Sequence, residues 1–253
     1  MTQTQAGEDR VPTEPHDVAI VRVWDWPVRL VHWALVLLLV VLIVSVNIGG
    51  DAMVWHMRAG ETVLALLMFR VIWGFIGSRH ARFTSFVRGP RAVFSYARSI
   101  IRPPHQWHAG HNPLGGWMVI ALLLALLAQA GTGLLSNDDI AYEGPLVHRI
   151  SKDLSDAITS FHHKNGWLIV GLAGVHIAAV LVYLFALKDN LIRPMIDGVK
   201  RGPASALVGT SVGTSVGTSA HAHHAPTENP YAGRALIVFA LCACAVWWLV
   251  TRA

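Results

Sequence analysis

Residues 162–187 read HHKNGWLIVGLAGVHIAAVLVYLFAL, and this stretch decides the fold. From Gly166 to Leu187 the sole charged or imidazole side chain is His176. A run of about 20 apolar residues crosses a bilayer as an α-helix, which rises about 1.5 Å per residue. A histidine inside such a run is expensive and is a functional candidate by default. Its spacing from His162 is 14 residues, a rotation of about 1400°, only about 40° from whole turns. The two side chains therefore share a face, about 21 Å apart along the axis. The neighbouring His163 falls about 140° away from His176 and does not share that face.

Four more segments have the same character. Arg29–Ile48 holds His32 as its one ionisable group beyond the first residue, and His56–Gly77 is apolar after Glu61 except for Arg70. Leu114–Leu135 has no ionisable residue. Ala235–Val250 is a shorter apolar run framed by Tyr231 and by Trp247 and Trp248, aromatics that favour the membrane interface. Composition agrees. Of 253 residues, 53% are hydrophobic and 14% charged, with a mean hydropathy of +0.47, against about 25% charged in ordinary soluble proteins. A disordered chain, a disulfide-stapled secreted domain and a routine cytosolic enzyme are excluded. The expectation is an all-α integral membrane protein, a four-helix transmembrane bundle with a fifth, C-terminal transmembrane helix.

Charge sets the orientation. Segment 78–113 carries Arg79, Arg82, Arg88, Arg91, Arg98 and Arg102 and no acid. Segment 136–161 carries Asp138, Asp139, Glu143, Asp153 and Asp156 against Arg149 and Lys152. The positive-inside rule puts the first loop in the cytoplasm of a bacterial inner membrane and the second outside. The N-terminus and the 188–233 stretch, with Lys188, Arg193, Lys200 and Arg201, are then cytoplasmic. The net charge of +5 is mostly this topology signal, so no nucleic-acid partner is expected. Residues 1–28 hold five acids and are no secretory signal; Asp25 and Pro27 mark a helix start. Cys242 and Cys244 lie in the last span, and no C-x-x-C-H occurs, which excludes covalent c-type haem attachment. Three copies of Val-Gly-Thr-Ser at 208–219, followed by His221, His223 and His224, read as a flexible linker with metal-binding potential. The organisation expected is a cytoplasmic tail over 1–22, a four-helix domain over 23–201, a linker over 202–230 and the last helix over 231–253.

Depth then pairs the histidines. The span holding His162 and His176 runs from outside to inside, so His162 is outer and His176 deeper. His32, near the start of the first span, is inner; His56, near the start of the second, is outer. The pairs are His32 with His176 and His56 with His162, with helix tilt reconciling a small depth difference in the first. Two bis-histidine pairs across a helical bundle are what two b-type haems require, since two imidazoles saturate haem iron for electron transfer. A binuclear metal site or proton relay needs its histidines at one depth, and a lone histidine in a span is more often a packed polar group. Arg70 lies 14 residues after His56, on the same face, at the level of the inner pair. Two readings stand for it: a partner for a haem propionate, or an arginine snorkelling to the surface. Gly60 and Gly166 each follow an outer histidine by four residues, where a small residue admits a flat macrocycle or simply close helix packing.

The stretch Val23-Trp24-Asp25-Trp26-Pro27-Val28-Arg29-Leu30-Val31-His32-Trp33, the Arg70…Trp73-Gly74…Gly77-Ser78-Arg79 pattern, the Gly110-His111-Asn112-Pro113 turn and His162…His176 together resemble the bacterial di-haem cytochrome b family. That family is related to cytochrome b561 and includes the cytochrome b subunits of membrane-bound nickel–iron hydrogenases. The resemblance covers roughly residues 20–201. It implies haem ligation by His32, His56, His162 and His176; the linker and fifth helix depart from the four-helix pattern.

The function expected is transmembrane electron transfer between a periplasmic redox partner and the membrane quinone pool. That partner would be a hydrogenase, another dehydrogenase or a c-type cytochrome. The first rival is a stand-alone oxidoreductase such as a superoxide:quinone oxidoreductase, which needs a basic outer funnel to steer its anion; Asp51 and the outer loops are acidic instead. A histidine-containing transporter is the second rival, and it predicts no haem. At the third span, Asn112 and Pro113 read as a helix cap and first-turn proline. His111 reads either as part of that turn or as a proton donor near the inner haem or a quinone. Gln129 reads as a packing hydrogen bond. The arginine-rich loop, interleaved with Phe83, Phe86, Phe94 and Tyr96, reads as an interfacial amphipathic helix.

Overall fold

A computed structural model describes residues 18–100, 108, 110–203 and 231–252. The acidic N-terminal residues, the Val-Gly-Thr-Ser repeats and His221, His223 and His224 lie outside the described residues. Five helices are long and apolar enough to cross a membrane: α1 (Trp26–Ile48), α2 (Met53–Ile76), α5 (Pro113–Gly133), α6 (Lys152–Phe185) and α8 (Ala232–Arg252). Between them lie the short α3 (Phe83–Phe86), α4 (Pro90–Ile100) and α7 (Ile192–Asp197). Strands β1 (Val18–Arg22) and β2 (Val199–Pro203) complete the order.

Local chemistry fixes the helix starts. Asp25 accepts from the Val28 N–H at 2.9 Å and Pro27 occupies the first turn of α1, where its missing N–H costs nothing. Asn112 caps α5 through the Gly115 N–H at 2.7 Å, followed by Pro113, as the sequence implied. The α1–α2 reversal uses Gly49 and Gly50 at φ +68° and +52°, a region that glycine occupies without steric penalty. Ser151 caps α6, which starts 14 residues before the apolar run read from the sequence. That first part carries Lys152, Asp153, Asp156 and Lys164, so hydropathy registers only where the helix becomes apolar.

β1 pairs antiparallel with β2, from Val18 opposite Pro203 to Arg22 opposite Val199. This clasp lies partly inside the segment read as an N-terminal tail. It continues in bonds from the Val23 and Trp24 N–H groups to the Gly198 carbonyl. Trp33 Nε1 donates to Met195 O at 3.0 Å and Arg29 to Ile196 O, tying α1 to α7. The Lys200 ammonium meets Asp189 at 2.8 Å and donates to the His108 carbonyl. One end of the bundle is thus a clasp end, and the Gly49–Gly50 reversal marks the opposite, hairpin end.

Helix α1 packs on α2, α2 on α5, and α5 on α6. Helices α1 and α6 share almost no backbone contact; a gap is left between them. The main core lies on the other flank, where Val28, Val31, Leu66, Phe69 and Trp73 meet Ala235, Val238 and Cys242 of α8. Those α8 residues recur every three or four positions, while Leu236, Ile237, Leu241, Trp247 and Trp248 face outward, as a lipid-facing stripe does. On α4, Tyr96 is buried and Phe94 exposed with Arg91 and Arg98, the two-faced pattern of a helix lying at an interface.

Candidate functional site

The gap between α6 and the α1–α2 hairpin is bridged by histidines. His32 of α1 faces His176 of α6 with ring centroids 6.5 Å apart, and His56 of α2 faces His162 of α6 at 6.4 Å. Two imidazole nitrogens each about 2 Å from one metal ion leave the ring centroids roughly 6 Å apart. Both pairs fit a single metal between them. The next residue, His163, is exposed, as its helical angle requires.

At the hairpin end both rings are fixed from behind. His56 Nδ1 lies 3.1 Å from the Leu42 carbonyl, and His162 Nδ1 lies 3.1 Å from Thr132 Oγ1. Histidine ligands are oriented in this way by a partner on the second nitrogen. Around them is a cavity of about 540 Å³ whose lining includes His56, Gly60, Gly133, His162 and Gly166, within the range of about 300–1,000 Å³ that binds cofactors. A Cβ on Gly60 would meet nothing within 4 Å, whereas one on Gly133 would stand 3.2 Å from His162 Cε1. Gly60 leaves open space for a flat ligand, and Gly133 makes room for the ring.

The clasp end is polar and buried. Arg29 Nε, His32 Nδ1, Ser78 Oγ and His111 Nδ1 are buried without a hydrogen-bond partner among the described residues. Buried polar atoms are rarely left unpaired; four at one end suit a ligand that brings polar groups, and haem brings two carboxylates. Arg70 is 7% exposed, so it does not snorkel. Its guanidinium sits 5.2 Å from the Phe83 ring centroid and donates weakly to Ala81 O at 3.4 Å. Asp25 lies within electrostatic reach of Arg70, a carboxylate that hydropathy alone does not place at this depth. Gly74 is needed here, because any Cβ would run into the Phe83 ring.

His111 lies between Trp24 and Phe86, 4.5 Å from each ring centroid. Burial, helped by the positive field of Arg70, pushes its pKa down to about 3. Its ring packs at the clasp end within electrostatic reach of Arg70, consistent with the turn reading and with the proton-donor reading alike. Gln129 accepts from Asn165 Nδ2 at 2.8 Å, and the same amide reaches Ala125 O at 2.9 Å, a polar tie between α5 and α6. What sequence reasoning missed on α5 is Thr132 and Gly133: neither residue is ionisable, and only their position beside His162 signals a role.

Residues 23–198 match the family model described as prokaryotic cytochrome b561. A probable Ni/Fe-hydrogenase B-type cytochrome subunit of Bradyrhizobium diazoefficiens is 24% identical over 214 residues, covering 72% of this chain and 86% of the relative. The protein of the same name from Rhizobium leguminosarum bv. viciae is 26% identical over 211 residues, covering 70% and 87%. That of Azotobacter chroococcum mcd 1 is 25% identical over 233 residues, covering 78% and 93%. No solved structure matches the chain. The matched segment takes in all four paired histidines and more than two thirds of the sequence, and the chain belongs to the prokaryotic cytochrome b561 family of membrane cytochromes.

Proposed function

We propose that the chain carries two b-type haems, one between His56 and His162 and one between His32 and His176, and conducts electrons across the bacterial inner membrane. The observation that carries this reading is the pair of imidazole separations, 6.4 and 6.5 Å, repeated at two depths of one gap. Haem iron supplies one-electron exchange, and bis-imidazole ligation leaves no open position for chemistry at the metal. The protein supplies the rest. His32 with His176 and His56 with His162 would hold the two irons. Arg70 would supply a buried positive charge at the inner site, where a propionate could be its partner. Apolar side chains, Leu42 and Ile169 among them, form part of the wall of the outer site.

The arginine-rich clasp end is cytoplasmic by the positive-inside rule, which makes His56 and His162 the outer pair. The relatives' names support a nickel–iron hydrogenase as the partner, and the function we propose is electron passage between that partner and the membrane quinone pool. A c-type cytochrome is the other partner that the acidic outer loops suit. Superoxide is disfavoured as a substrate: Glu61, Asp138 and Glu143 line the outer cavity, and their field repels an anion.

Purified protein is expected to show a b-type α-band in its reduced-minus-oxidised spectrum and two haems per chain. A spectrum without that band overturns the reading and favours a transporter. Gly60→Leu projects a side chain into the outer cavity and is expected to halve the bound haem. Retention of two haems in that variant places the outer haem elsewhere.

A further inference from the structure

Three hydrogen bonds at the end of α5 define the protonation of a neighbouring ring. Thr132 Oγ1 has one proton, and two backbone carbonyls of its own helix lie in line to take it: Ala128 O at 2.7 Å and Gln129 O at 3.0 Å. With the proton directed there, only lone pairs remain for His162 Nδ1 at 3.1 Å. A hydroxyl oxygen that accepts requires a nitrogen that donates, so Nδ1 bears the ring proton. In the opposite tautomer Nδ1 would present a lone pair to Thr132, whose proton is already committed. It would also place a proton on Nε2, the nitrogen needed for a metal.

We propose that Thr132 is a positioning residue for the outer site, its hydroxyl holding His162 in the Nδ1-protonated tautomer so that Nε2 is bare and aimed across the gap toward His56. The inference rests on the haem reading above. Gly133 completes the seat, since a Cβ at that position would press on His162 Cε1 at 3.2 Å. The consequence is electronic as well as geometric. A hydrogen bond from Nδ1–H raises the basicity of the ligand, and a more basic imidazole favours ferric over ferrous iron. Thr132 therefore holds the outer midpoint potential lower than an unbonded ring would. Within the inner pair, His32 Nδ1 has no such partner among the described residues, so the effect is assigned to the outer site.

The test compares wild-type holoprotein with Thr132→Val and Thr132→Ser by spectroelectrochemical redox titration and low-temperature electron paramagnetic resonance. Valine keeps the shape and removes the acceptor; serine keeps the acceptor. His56→Ala, which removes the outer ligand, identifies which titration wave belongs to the inner haem. The expected result is a positive shift of the outer midpoint in Thr132→Val together with a changed outer low-spin signal. The inner midpoint stays fixed, and Thr132→Ser behaves as wild type. Loss of the outer haem from the valine variant but not from the serine variant also supports the proposal. An unmoved outer midpoint, equal movement of both midpoints, or a serine variant that behaves like valine overturns it. A wild type with no b-type band overturns the haem reading itself, and that is seen before any variant is made.

Discussion

Replacing His176 with alanine is expected to remove one of two b-type haems and to leave the other with its midpoint potential unchanged. The two sites are separable because they share a helix but no ligand. His176 faces His32 and His162 faces His56, and 14 residues of α6 place the two α6 histidines about 21 Å apart. His176 is half-buried in a helix whose sides are largely lipid-facing, so its truncation empties no protein core. The outer ring keeps its own support from Thr132, and its partner His56 keeps that from Leu42. Pyridine haemochrome analysis is expected to fall from two haems per chain to one, with the same loss in His32→Ala. His163→Ala is the control; its exposed ring ligates nothing, and two haems should remain. Loss of both haems from the His176 variant, or of neither, overturns the pairing.

That pairing was legible in the sequence because it depends on two quantities a sequence carries well. Hydropathy gives the depth of each histidine, and the helical period gives its face. The same arithmetic could not see the β1–β2 clasp, whose partners are two five-residue segments at opposite ends of the matched domain. Nor could it give the full length of α6, whose first 14 residues include Lys152, Asp153, Asp156 and Lys164 while still helical. Thr132 was silent for a different reason. A hydroxyl in a membrane helix ordinarily bonds its own backbone, as Thr132 does to Ala128 O, and only the neighbouring helix shows that it also meets the His162 ring. Arg70 was legible as a buried charge, but its surroundings were not. The sequence shows Asp25 as a helix cap and cannot show that its second oxygen reaches another helix 48 residues away.

That second oxygen makes Asp25→Ala the other variant with a large expected effect. Asp25 Oδ1 caps α1 by accepting from the Val28 N–H, and Oδ2 accepts from Trp73 Nε1, both at 2.9 Å. Loss of a cap costs about 0.5–2 kcal/mol. A buried indole N–H left without its acceptor costs about 1–3 kcal/mol more, and Trp73 has no exposure to water at all. Alanine is therefore expected to destabilise the clasp end by roughly 3 kcal/mol, seen as earlier thermal loss of haem absorbance in detergent. An asparagine in its place would cap as well as aspartate but has one carbonyl oxygen for two donors, and its NH₂ would oppose one of them. Asp25→Asn should fall between wild type and Asp25→Ala. Charge gives a second, opposite readout. Asp25 is the carboxylate that faces Arg70, and a positive charge near haem favours its reduced form. Asp25→Asn leaves Arg70 less compensated and should raise the inner midpoint, whereas Arg70→Leu should lower it. Equal stability of the aspartate, asparagine and alanine forms removes the dual-acceptor role. Inner midpoints that move in the same direction in Asp25→Asn and Arg70→Leu remove the electrostatic one.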